Sequence, residues 1–183
     1  SELEELLKEL KEIVERSADH LRRSNDDLRK IIEEVTKTLE KILEDLKRIV
    51  EEVVDRARKK VSDKDRVREL KKRLEEDLRR VEKKVRDIKK EAEDSLRKSE
   101  EDVREYKRKL KEDLDRLKEI IERNEDREEE LKKKLKELKD RAKETNERHR
   151  RDVERLMEKL RRDLERLDRE VKDLEKKLRE EEK

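Results

Sequence analysis

The stretch VRELKKRLEEDLRRVEKKV, residues 67–85, places apolar side chains at Val67, Leu70, Leu74, Leu78, Val81 and Val85 and charged ones everywhere else. Steps of three and four residues keep the apolar set on one face of an α-helix. The placement then recurs every 18 residues: Val67 returns as Val85, Val103 and Ile121, Leu70 as Ile88 and Tyr106, and Leu78 as Leu96 and Leu114. Eighteen residues make about five whole turns, so the stripe runs along the helix axis without the drift that supercoils heptad or 11-residue repeats. A heptad fails at once, because seven residues on from Leu70 stands Asp77. The pattern specifies long, straight helices.

Composition narrows the class further. Charged residues make up 64% of the 183 and apolar ones 28%, which in bulk resembles a disordered chain. Strict periodicity and an excess of Glu, Lys, Arg and Leu, all strong helix formers, argue the other way. With 60 Lys and Arg against 58 Asp and Glu, the net charge is only +2, and the signs are mixed along the chain. No one-signed field exists to attract nucleic acid or a membrane surface. The longest apolar runs are doublets such as Ile31-Ile32, far short of a membrane span. Zero Cys removes disulfides and thiolate chemistry, and two His alone do not make a metal site, so no cofactor is expected. No targeting signal is legible and localisation stays open. The start at Ser1 suggests a trimmed recombinant product.

The lattice breaks twice, between Val61 and Val67 and between Ile121 and Leu131. Three helices follow, at approximately 2–61, 65–123 and 127–181, within a single domain of residues 1–183. Ser1 with Glu4 reads as a capping box, as does Asp126 with Glu129. Ser62-Asp63-Lys64-Asp65 offers several N-caps, and Asn124 tolerates the left-handed conformation after a helix. Each helix spans about 60 residues, or about 90 Å. Short connections make neighbours antiparallel, so the expected fold is an all-α, up-down-up three-helix bundle. The rival, one continuous charged helix, needs no apolar stripe. Ser24-Asn25-Asp26-Asp27 and Thr145-Asn146 resemble turns locally, but the lattice crosses both in phase, from Leu21 to Leu39 and from Leu131 through His149 to Leu167. Both are read as helical.

Helix 1 is the most apolar. Doublets such as Ile13-Val14, Ile42-Leu43 and Ile49-Val50 widen its apolar arc to roughly 140° and give it a second seam. That seam runs Leu6, Leu10, Ile13, Ser17, Ser24, Leu28, Ile31, Val35, Ile42, Leu46, Ile49, Val53. Left in water it exceeds the roughly 300–600 Å² apolar patch typical of a monomer. Its simplest cover is helix 1 of another copy, in a cyclic homo-oligomer. A parallel arrangement brings Ser24 beside its own copies, whereas an antiparallel dimer centred near Ile31 sets Ser17 against the neighbourhood of Asp45–Leu46, largely unpaired. An Ile-rich seam favours three strands, so a homotrimer is expected, with a dimer next.

Polar residues interrupt the apolar lattice near mid-length: Ser17, Ser24 and Asn25 on helix 1, Ser95 and Ser99 on helix 2, and Thr145, Asn146 and His149 on helix 3. Antiparallel folding brings them to one level, with Asn25 near residue 101 and Ser99 near residue 151. Tyr106, the only aromatic residue, stands next along. Such a slab reads as a buried hydrogen-bond network that fixes register. As a catalytic site it lacks an activated nucleophile and free backbone N–H groups for an oxyanion. His149 lies at the centre of its helix's apolar arc, where a charged imidazole is costly and assembly becomes pH-sensitive; His20 lies at an edge.

Together these residues resemble a de novo designed helical bundle, built from straight parametric helices around a buried hydrogen-bond network. The resemblance covers the whole chain and rests on the 18-residue lattice, the confined Ser/Asn/His layer and the lack of Gln, Gly, Pro, Cys, Phe and Trp. It departs in the connections, since such designs usually place Gly or Pro there. The resemblance implies a stable, self-assembling scaffold with no natural catalytic activity and no small-molecule substrate. The alternative is one component of a designed heteromer, whose wide face on helix 1 receives a different helical chain.

Overall fold

The computed structural model describes residues 2–123 and 128–181. Three helices account for almost all of them: α1 (Glu2–Lys60), α2 (Lys64–Glu122) and α3 (Glu128–Glu181). They pack against one another as the all-α bundle that the lattice specifies. Both turn-like stretches, 24–27 in α1 and 145–146 in α3, are helical. Ser1, Asn124 and Asp126, proposed as caps, lie outside the described residues.

The connection between α1 and α2 selects one cap from four candidates. Asp63 Oδ1 accepts the backbone N–H groups of Asp65 at 3.0 Å and Arg66 at 3.4 Å, and the Asp63 carbonyl accepts Val67 N–H at 3.3 Å. That geometry makes Asp63 the N-cap, so α2 begins at Lys64, one residue before the expected start. At the other side of the turn, Val61 N–H still reaches the Ala57 carbonyl at 2.9 Å. Arg58, Lys59 and Lys60 complement the negative end of the α1 dipole. The connection is made by Val61, Ser62 and Asp63, without Gly or Pro.

The chain forms two compact units, one of Ser1–Lys30 with Asp94–Leu156 and one of Ile31–Glu93 with Met157–Lys183. In the first, Leu10 and Val14 of α1 meet Leu110 and Leu117 of α2 and Leu131, Leu135 and Leu138 of α3. Leu21 and Leu28 are each only 1% exposed, so leucines fill the centre of the helix 1 face. In the second unit Leu39, Leu46, Leu74, Val81, Leu167 and Leu174 are buried from all three helices. Each such leucine contributes about 1.5–3 kcal/mol on burial.

Cross-helix bonds fix the direction of each pairing. In the second unit Glu40 pairs with Lys89 and Lys47 with Glu82, so seven residues forward on α1 are seven backward on α2. Asp77 with Lys177 and Lys84 with Glu170 give the same antiparallel step between α2 and α3. In the first unit Arg29 pairs with Glu100, and Arg141 with Asp113 at 2.9 Å. These pairs lie at the solvent edge, where each contributes about 0–1 kcal/mol. The bundle is held by its apolar interior.

Candidate functional site

The polar positions on the lattice all sit on helices, and the first unit brings most of them together in two groups. In one, the Ser17 hydroxyl of α1 donates to Asn146 Oδ1 of α3 at 2.9 Å. Tyr106 OH of α2 lies 3.3 Å from the same Ser17 oxygen. Ser17 has one hydrogen and spends it on Asn146, so the phenol is the donor in the second bond. Three helices are thereby joined at one buried hydroxyl, since Ser17 is 6% exposed. Burial pushes the Tyr106 phenol above its ordinary value, and hydrogen bonding with the Ser17 and Thr145 hydroxyls pulls it partly back. Thr145 also donates its own hydroxyl to the Arg141 carbonyl one turn earlier, at 2.9 Å.

The second group is a pair. Ser99 of α2 donates to Asn25 Oδ1 of α1 at 2.8 Å, and Asn25 is 5% exposed. The antiparallel register read from the helix ends, Asn25 opposite residue 101, falls two positions from this partner. Ser24 and Ser95 are half-buried, and among the described residues neither joins the two groups.

His149 is buried at 9% exposure in α3, and its Nε2 has no hydrogen-bond partner. Burial holds the imidazole below its ordinary proton affinity; the Asp152 carboxylate opposes that shift, His20 adds to it and Asp102 opposes it. His20 itself is exposed. Among the described residues a second buried side-chain atom without a partner is Glu170 Oε2, whose sister oxygen takes Lys84.

The helix 1 seam is narrower than its sequence suggests. Leu10, Ser17, Leu28, Leu46 and Val53 are buried by the chain's own helices, so they are core rather than seam. Leu6, Ile13, Val35, Ile42 and Ile49 stay half-buried, and Ile31 is 37% exposed. What remains is a strip on which Ile13, Ile31 and Ile49 recur at the lattice interval. Five residues further along each, about 140° round the helix, the opposite edge carries the smaller Ala18, Thr36 and Val54. The excess of apolar bulk lies on one edge only.

Sequence periodicity alone does not reveal a cavity of about 490 Å³ in the second unit, at the α1–α2 turn. Val61 and Val67 floor it, and Arg58, Lys64, Arg68 and Lys71 line it. Three of those cations already face carboxylates on their own helices: Arg58 faces Asp55, Arg68 faces Asp65 and Lys71 faces Glu75. Neither a nucleophile nor an acid reaches the cavity. Within the polar groups the buried hydroxyls bond amide, phenol and carbonyl oxygens, none of which is a base able to activate them. Among the described residues no three His, Cys, Asp or Glu stand together as metal ligands, and no helix is long and apolar enough to cross a membrane. The chemistry these side chains supply is hydrogen bonding between helices.

No protein-family model, curated protein or solved structure matches this chain.

Proposed function

We propose that the chain is a de novo designed structural scaffold whose activity is self-assembly, through the Ile strip of α1, into a parallel homotrimer. The design reading rests on the 18-residue lattice, the restricted residue set and the placement of buried Ser, Asn and Tyr groups in one stretch of each helix. In this reading the Ser17–Tyr106–Asn146 and Asn25–Ser99 bonds set the register of the chain's own helices. A slip of one residue leaves each buried group without its partner, at a cost of about 1–3 kcal/mol per group.

The observation that carries the assembly reading is the strip itself: Ile13, Ile31 and Ile49 at one interval, with Ile31 the one large apolar side chain counted as exposed among the described residues. A second copy fits because it presents the same interval, and a cyclic arrangement places the strip against itself. Ser24 lies on the strip between Ile13 and Ile31, half-buried and outside both polar groups. Parallel copies bring it beside its own equivalents, where hydroxyls satisfy one another. The test is light scattering on the chain and on a variant carrying Ile13→Glu, Ile31→Glu and Ile49→Glu. The expected masses are three times 22.7 kDa for the chain and 22.7 kDa for the variant, with helical content kept. An unchanged mass in the folded variant overturns the reading, and a mass doubled rather than tripled assigns a dimer.

A further inference from the structure

Beyond assembly, one buried group has chemistry that a hydrogen-bonded scaffold does not use. His149 is the one ionisable side chain among the buried polar residues. It stands on the inner line of α3, and its Nε2 is sealed from solvent with nothing to bond. As a neutral ring it forgoes one hydrogen bond. As an imidazolium it must place both a charge and a donor N–H where no acceptor waits, which is far more costly. The charged groups acting on it come from all three helices: Asp152 from α3, His20 from α1 and Asp102 from α2. Two carboxylates favour the proton, the second imidazole disfavours it when charged, and burial outweighs them.

We propose that His149 is an acid-sensitive lock, held in the folded first unit only as the neutral base, so that one proton there loosens α3 from α1 and α2. The lock acts within one chain and does not rest on the self-assembly reading. Its sign follows from linkage. The unfolded chain takes up the proton near the ordinary value of 6.5, and the folded chain only at lower pH. Stability is therefore complete above 6.5 and declines as the pH falls from there towards the folded value. Below that value no further loss comes from this group.

Two measurements test the lock. The first follows the imidazole proton resonances of the folded chain from about pH 8 to about pH 5, with His20→Gln to assign them. The His149 signal is expected to titrate below 6.5. The second follows denaturant unfolding over the same range for the chain, His149→Leu and Asp102→Asn, at dilute protein. The folding constant of the chain is expected to fall by up to about tenfold per pH unit within the window. His149→Leu removes that slope, and Asp102→Asn extends it to lower pH by removing a carboxylate that helps the charged ring. A His149 signal that titrates at or above 6.5 overturns the proposal. So does an equal slope in the Leu variant. Should His149→Leu not fold, the resonance of the unmodified chain decides alone.

Discussion

Ser99 of α2 donates its hydroxyl hydrogen to Asn25 Oδ1 of α1 at 2.8 Å, with the Asn side chain closed off from solvent. The pair is a compatibility test between two helix faces. A slip that seats Asn25 against Leu96 or Val103 takes its amide out of water without giving it a partner.

Removing one member should therefore cost more than removing both. Ser99→Ala is expected to destabilise the chain by about 1–3 kcal/mol, because Asn25 stays buried and loses a donor. Asn25→Leu together with Ser99→Ala should recover most of that loss, or exceed the original stability. Denaturant midpoints of the two single variants and the double variant give the coupling directly. Simple additivity of the single effects would show that the pair does not act as a unit.

Tyr106 is the only aromatic residue of the chain, so tyrosinate absorbance reports one site. Burial raises its proton affinity, and the folded chain should ionise above the ordinary value of 10.0. The unfolded chain ionises first as the pH rises, so this contribution to stability is full below 10.0 and is lost as the pH climbs through the folded value. On ionisation the phenol has no hydrogen left to donate and the Ser17 hydroxyl turns its own from Asn146 towards the phenolate, so Ser17→Ala removes that donor and should move the midpoint higher still. A midpoint equal to that in denaturant would contradict the burial of the hydroxyl.

Most of this fold is legible from periodicity, because an α-helix converts sequence spacing into angle. Leu21 and Leu28 fall at the centre of the helix 1 arc, and each is only 1% exposed. His149 likewise reads as buried and is buried. Angle does not say which neighbour covers a position. Ser17 and Val53 lie near the Ile13 line, yet the chain's own helices enclose them, since a few tens of degrees separate inner from outer positions. Bond partners are equally hidden. Thr145 shares the lattice with Asn146 but turns its hydroxyl back to Arg141, a choice made by rotamer rather than by spacing. The ion pairs between helices escape for the same reason, since nearly every exposed position is charged and sequence alone does not match them.

The turn between α1 and α2 depends on one carboxylate. Asp63→Ala should destabilise the chain by about 0.5–2 kcal/mol, and Asp63→Ser by less, since serine caps as well. Ser62→Ala, one residue before the cap, should leave the denaturant midpoint nearly unchanged. Equal effects at 62 and 63 would contradict the assignment of Asp63 as the cap.

The central claim is that the Ile strip of α1 is covered by other copies of the chain. The measurement that tests it most directly is the mass of the unmodified protein by sedimentation equilibrium at neutral pH, over serial dilution. The account predicts a species of three times 22.7 kDa that dissociates only on strong dilution. A mass of 22.7 kDa at every concentration would contradict it and leave Ile31 as an uncovered edge of a monomeric bundle.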